Sequence, residues 1–162
     1  MTIDTINPTL AIAGAITLFA LSASGSAIGT GIGANAAVGA WKKCYAHNRP
    51  APFTLLVFVG MPLTNTLYGL LLMNSIITKA LSLPLLPGGG WILFGLCIFV
   101  GLVMGLAAWV QARAAACACD AQGETGQGFG NYIGAIGIIE GVTIFIVIFA
   151  LFAVGKFFLA VS

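Results

Sequence analysis

Charge is scarce in this chain. Its 162 residues include six lysines and arginines and four acids, while 60% of positions are hydrophobic. A soluble domain carries far more charge over its surface. The composition therefore excludes an ordinary water-soluble fold and predicts an integral membrane protein. The net charge of +2 is small, and no basic run interleaves with aromatics, so no nucleic-acid partner is expected. A single histidine, His47, and the lack of a paired CxxC leave little for a metal centre. The cysteines, Cys44, Cys97, Cys117 and Cys119, lie mostly in or beside apolar runs. They read as small packing residues rather than a disulfide framework. No basic residue precedes the first apolar run, and Asp4 does. That start is unlike a cleaved leader, so the first run is expected to remain as a span.

What the chain does have is long apolar stretches. Four stand out, at about 10–41, 53–78, 91–119 and 129–159, each long enough for a hydrocarbon core of about 30 Å. The connections 42–52, 79–90 and 120–128 hold turn residues such as Asn48, Pro52, Pro84 and Gly123. The expected fold class is an all-α membrane protein of four transmembrane helices, arranged as two tandem helical hairpins. Residues 1–80 form the first hairpin and 81–162 the second. Lys42, Lys43 and Arg49 in the first connection outnumber Lys79 and Lys156 at the opposite end. This bias predicts cytoplasmic hairpin loops, with both termini outside.

Small residues recur along the first span, with Gly25, Gly29, Gly33 and Ala37 at intervals of four. That spacing sets them on one helix face, where they let backbones approach closely. Generic tight packing is one reading. The other is a homo-oligomeric ring whose narrow inner wall is built from such helices. The string GTGIG in this span follows no strand, so a nucleotide site is not expected there. Shifting the chain by 75 residues sets Asn65 on Glu140, which suggests a duplication visible in hydropathy and layout rather than in letters.

Glu140 is the one charge between Ile133 and Gly155. A carboxylate at membrane depth costs roughly 2.5–3.5 kcal/mol on insertion scales, and such a residue marks a functional site by default. In the second span Met61, Thr64, Asn65 and Tyr68 follow i, i+3, i+4, i+7, one helical stripe. Pro62 interrupts the ladder there and can release a carbonyl. Gln111 in the third span is related to Glu140 by the turn at 123–128, which sets both about 22 Å from it at 1.5 Å per residue. The same reckoning sets Asn65 at about 25 Å from the first turn. Glu140, Gln111, Thr64, Asn65 and Tyr68 are thus expected at one level. One carboxylate with several neutral oxygens suits a monovalent hard cation, sodium above all. A proton needs only Glu140 and a neighbour or two. Thr143, three residues beyond Glu140, is a supporting donor or bonds its own backbone. Taken singly, each neutral residue also reads as interhelical packing or helix back-bonding.

These features together resemble the proteolipid subunit of V-type (V/A-type) rotary ATPases, in its duplicated four-helix form. The resemblance spans essentially the whole chain. It is carried by the glycine-rich first span, the two hairpins, the late glutamate, Pro62-Leu63-Thr64-Asn65-Thr66-Leu67-Tyr68-Gly69, and Gln111-Ala112-Arg113-Ala114-Ala115-Ala116. It implies ion binding by the Glu140 carboxylate, with Na+ ligation by Thr64, Gln111 and the Met61 backbone carbonyl. It also implies a Tyr68 hydroxyl bonded to Glu140. Position 65 commonly holds Gln in the sodium-type pattern; Asn65 is one methylene shorter, which leaves H+ as the alternative cargo. The implied subunit hydrolyses nothing itself and needs no organic cofactor. Its implied partners are identical subunits in a ring, a membrane stator subunit with a basic residue, a central-stalk subunit at the cytoplasmic loops, and the lipid bilayer of a prokaryotic cell membrane. The rivals are a small proton-coupled secondary transporter, which calls for an aromatic lining around its acid, and a purely structural membrane protein.

Overall fold

The computed structural model describes residues 3–159, with side chains from Ile6 onward; Asp4 therefore lies outside the described side chains. Five α-helices occur in this range: α1 (Ile3–Ala46), α2 (Leu55–Gly60), α3 (Thr64–Ser82), α4 (Gly89–Thr125) and α5 (Phe129–Gly155). A short 3-10 turn, Met61–Leu63, joins α2 to α3. The cause is Pro62, which has no N–H to continue the ladder. The chain carries on through it, since Met61 N–H reaches the Phe58 carbonyl and Thr64 N–H the Met61 carbonyl. The two helices and the turn act as one span, Leu55–Ser82. With Ile6–Ala46, Gly89–Thr125 and Phe129–Gly155 there are four spans long and apolar enough to cross a membrane. The protein is a multi-pass integral membrane protein.

The helices overrun the apolar runs on which they are built. At 1.5 Å per residue α1 is roughly 65 Å long and α4 roughly 55 Å, against a hydrocarbon core of about 30 Å. The excess at the loop end carries Lys42, Lys43, Asp120 and Glu124. Lys43, near the end of α1, pairs with Asp120 (2.8 Å) and Glu124 (3.1 Å), both near the end of α4. Arg49 donates to the Glu124 carbonyl (2.8 Å) and Trp41 Nε1 to the Pro52 carbonyl (2.8 Å). The third connection shrinks to three residues, 126–128, because α4 continues to Thr125. Gly126 and Gly128 both take left-handed conformations (φ +68° and +86°), which a side chain would strain. At the far end α3 runs on to Ser82, and the chain leaving α5 folds back on the 83–88 connection. Leu86 N–H donates to Phe157 O (3.0 Å) and Leu159 N–H to Pro84 O (2.9 Å), around a β-bridge between Leu85 and Phe158.

Helices α1 and α4 form the spine and run parallel. Asn7 lies against Gly90, Leu18 against Gly101 and Ala40 against Gly123, each pair 83 positions apart in sequence. At Gly25 an added Cβ would come 2.4 Å from the Gly105 Cα. The small-residue ridge of α1 is therefore turned inward, against α4 at Gly25 and Gly29 and against α2 at Gly33. The outer spans keep another register: Phe58 meets Tyr132, and Tyr68 bonds Glu140 at a separation of 72. These separations are near the shift of 75, while that of the inner spans is not. The greater length of the first connection, 47–54, over the third, 126–128, accounts for part of the difference.

Two apolar clusters fill the interior. One, toward the termini, contains Ala11, Leu18, Leu72, Ile76, Leu93, Met104 and Val147. The other, toward the loops, contains Ala37, Ala40, Leu55, Phe58, Ala115, Cys119 and Ile136. Between them each span contributes polar side chains. They are Ser22, Ser26 and Thr30 on α1, Thr64, Asn65 and Tyr68 on α3, Gln111 on α4, and Glu140 and Thr143 on α5. This polar layer is the only such cross-section that all four spans share among the described residues. Outside, α5 presents Ile138, Phe145, Phe149 and Phe152 at 63–77% exposure, a face suited to lipid or to another apolar helix.

Candidate ion site in the polar layer

The site begins where the Pro62 turn ends. Leaving that turn, α3 points Asn65 inward and Tyr68 toward α5, three residues and about 300° further round. Asn65 is fully buried, and Gln111 has 1% exposure. The Asn65 amide Nδ2 donates to Gln111 Oε1 at 3.2 Å. The Tyr68 hydroxyl donates to Glu140 Oε1 at 2.9 Å. Glu140 is only partly buried, on a stretch of α5 where Gly137 and Gly141 have open space beside them. The carboxylate is thus anchored at one oxygen and open at the other side.

Thr64 turns back on its own helix. Its hydroxyl donates to the Met61 carbonyl at 2.9 Å, the same carbonyl that receives the Thr64 N–H. This is the local bonding that threonine finds wherever a turn leaves a carbonyl within reach. Both oxygens keep lone pairs for a further partner, since a hydroxyl and a carbonyl each offer two. Met61 lies partly buried, packed against the loop-side cluster.

The residues expected at one level do share one layer, but as two separate contacts. Tyr68 joins α3 to α5 through Glu140, and Asn65 joins α3 to α4 through Gln111. Thr64, Asn65 and Gln111 make no hydrogen bond to Glu140. The reason is direction. Asn65 and Tyr68 leave α3 at different angles, so one serves the interior and the other the α5 side. Thr143 is buried on the inner stripe of α5 with Ile136 and Val147.

Two further members of the layer carry no signal in the constellation read from sequence. Ser26 and Thr30 have buried hydroxyls without a partner, as do Asn65 Oδ1 and Gln111 Nε2. The spacing Ser22, Ser26, Thr30 was a usable clue, because residues four apart share a helix face. The glycines interleaved with them drew attention to packing instead.

The arrangement offers chemistry of one kind. It has a single carboxylate, a hydroxyl that orients it, two carboxamides, a threonine hydroxyl and a helix-turn carbonyl, all at one depth. No second acid, histidine or cysteine joins them, and among the described residues no group of three such ligands exists anywhere. The four thiols are free, with Cys44, Cys97 and Cys119 buried in packing. Such a set lacks the nitrogen and sulfur ligands that zinc and copper favour. It suits a proton or a small hard monovalent cation. Comparison of the chain with protein-family models, curated proteins and solved structures yields no match.

Proposed function

We propose that this protein is the ion-carrying subunit of a membrane rotor ring, loading and releasing a monovalent cation at Glu140 as part of an ATP-driven V-type rotary ATPase. One observation carries the reading. A lone carboxylate sits within a membrane span, bonded to Tyr68, in a layer where every span supplies a polar side chain. The resemblance to V-type proteolipid subunits supports the same conclusion. A bare carboxylate facing lipid is costly. A loaded one is neutral, so a loaded site can turn through the bilayer and an emptied one cannot.

The residues then divide the work. Tyr68 holds the carboxylate at one oxygen and leaves the other for the cargo. With sodium as cargo, Thr64, Gln111 and the Met61 carbonyl supply oxygens, with Asn65 beside them. Partner subunits of the same chain complete the ring. A stator subunit brings a basic residue past Glu140, and the emptied carboxylate pairs with it until the next ion arrives. A central-stalk subunit grips the loop end, where Lys43, Asp120, Glu124 and Arg49 gather. That end holds Lys42, Lys43 and Arg49 and is placed in the cytoplasm. The chain itself performs no hydrolysis. One carboxylate for four helices lowers the number of ions per turn. That favours pumping, since each charge costs about 2.3 kcal/mol per 100 mV to move.

The proton is the second reading, and a specific contact favours it. Gln111 Oε1 is already engaged by Asn65, and Tyr68 alone bonds Glu140. A protonated carboxyl needs no more than this. A hydrophobic carbodiimide separates the two cargoes. We expect modification at Glu140 alone and protection by sodium at neutral or higher pH. Modification that ignores sodium but slows as pH rises assigns the proton. Modification elsewhere, with Glu140 spared, would sink the site.

A further inference from the structure

Four buried polar atoms of the layer lack partners: Ser26 Oγ, Thr30 Oγ1, Asn65 Oδ1 and Gln111 Nε2. Orphans of this kind are rare in folded proteins, and each calls for a cause. Their positions converge. Gly69 on α3 lies against Ser22 on α1, and Gly29 on α1 lies against Pro62 in the turn before α3 and Ala112 on α4. Ser26 stands one turn beyond Ser22, and Asn65 one turn before Gly69, so the antiparallel helices bring Ser26 opposite Asn65. Thr30 is the next residue of the Ser26 face. Gln111 is bonded to Asn65 and adjoins Ala112.

Helix back-bonding does not account for the two hydroxyls. Elsewhere on α1 it operates: Thr17 donates to Ala13 O, Ser22 to Phe19 O and Ser24 to Ala20 O. Ser26 and Thr30 make no such bond. Their hydroxyls stay available for a partner at the junction of α1, α3 and α4.

We propose that an ordered water molecule occupies this junction, bound by Ser26, Thr30, Asn65 and Gln111. The donor set selects water over a cation. Pairing between two carboxamides always leaves one oxygen and one NH2 group outward, whichever way the amides are turned. A cation tolerates oxygens alone, whereas water accepts from the NH2 group and donates to the oxygen. The two hydroxyls complete its shell, and about three bonds are usual for a buried water. The water ties α1 to the amide pair, which no direct hydrogen bond does. It also lets the Asn65 and Gln111 amides reverse together without orphaning either, so that Gln111 Oε1 can be released.

This site shares Asn65 and Gln111 with the ion-carrying reading but does not rest on it, since Glu140 labelling can fail with the water in place, and the reverse. A map of the intact protein in lipid, at a resolution that shows ordered water, tests it directly. We expect a peak about 2.7–3.2 Å from at least three of the four atoms, unchanged by sodium. The double variant Ser26→Ala with Thr30→Val should lose the peak and unfold at a lower temperature. Ser24→Ala, which removes an exposed hydroxyl bonded to Ala20, should change neither. Three results would overturn the proposal. In one, Ser26 and Thr30 bond the Ser22 and Ser26 carbonyls with no peak between them. In another, a peak appears only with sodium. In the third, the double variant unfolds at the parent temperature.

Discussion

Tyr68 is the residue on which the candidate site turns. Among the described residues its hydroxyl is the one group hydrogen-bonded to Glu140. A hydrogen bond to a charged group contributes about 1.5–3 kcal/mol when buried. Both partners here are partly exposed, which sets the effect near the lower value. Tyr68→Phe keeps the ring and removes the donor. The sodium concentration that half-protects Glu140 from carbodiimide should rise about tenfold, the equivalent of 1.4 kcal/mol. An unchanged value would show that the hydroxyl does not hold the carboxylate for the ion. At this scale the sequence was informative about depth and about the Tyr68–Glu140 bond, and uninformative about the Asn65–Gln111 pair. Glu140 announces itself because charge inside an apolar run is expensive. Gln111, Asn65 and Tyr68 follow from helical spacing. That Asn65 chooses Gln111 and not Glu140 depends on the angle at which each side chain leaves α3, which spacing alone does not supply. Ser26 and Thr30 stayed hidden among glycines for the same reason: a serine in a span reads as back-bonded until its neighbours are known.

At the scale of elements, the close seam between α1 and α4 positions everything else. The sequence showed the small-residue ridge but not its partner, and a ridge serves a neighbouring subunit as well as a neighbouring helix. The structure turns much of it inward. Gly25 meets the Gly105 backbone, Gly29 meets Ala108 and Ala112, and Gly33 meets Val59. A Cβ added at Gly31 or Gly39 would meet none of the described residues within 4 Å, which leaves these two positions open to an outside contact. Gly25→Val drives a side chain into backbone atoms 2.4–2.8 Å away. Backbone cannot yield as a flexible side chain does, so the loss should reach the upper part of the usual overpacking range of about 1–3 kcal/mol or exceed it. In the isolated subunit Gly31→Ala should gain a few tenths to about 1 kcal/mol, since alanine is the better helix former. Thermal unfolding of the two variants in detergent checks both signs. Helix ends were the least legible elements. Helices α1 and α4 run past the apolar boundary because no Gly or Pro stops them at Lys42 or Asp120; lysine, glutamine and glutamate continue a helix about as readily as leucine does.

At the scale of the whole molecule, the four spans use their exposed surface in a way that a lone bundle in lipid does not require. Open glycines lie along α5 at Gly130, Gly134, Gly137 and Gly141, beside the partly buried Glu140. The proposed ring would cover such a strip. Mass measurement of the intact detergent-solubilised assembly should give a single closed multiple of the 16.6 kDa chain. A persistent monomer under conditions that preserve the fold would remove the ring. The expected hairpin layout, with both connections at one end, was legible because the length of each apolar run and the turns between them leave few alternatives. The parallel register of α1 and α4 was not, because it is set by knob-and-notch contacts spread over some fifty ångströms of helix.

The polar layer between the two apolar clusters also bears on how the molecule opens. An interior divided in this way is expected to open as two cooperative units instead of one, joined at a layer where the Met61–Leu63 turn interrupts the α-helical ladder and four buried polar atoms lack a protein partner. Local opening should therefore start in the middle of the protein and not at its ends. Amide hydrogen exchange should be faster from Met61 to Gly69 than in the flanking parts of α2 and α3 around Phe58 and Ile76. Uniform protection along the whole span would show that the clusters behave as one. If the exchange follows the expected order, Glu140 can trade one partner for another by loosening a single narrow zone. The loop end and the terminal end would then stay folded through every cycle.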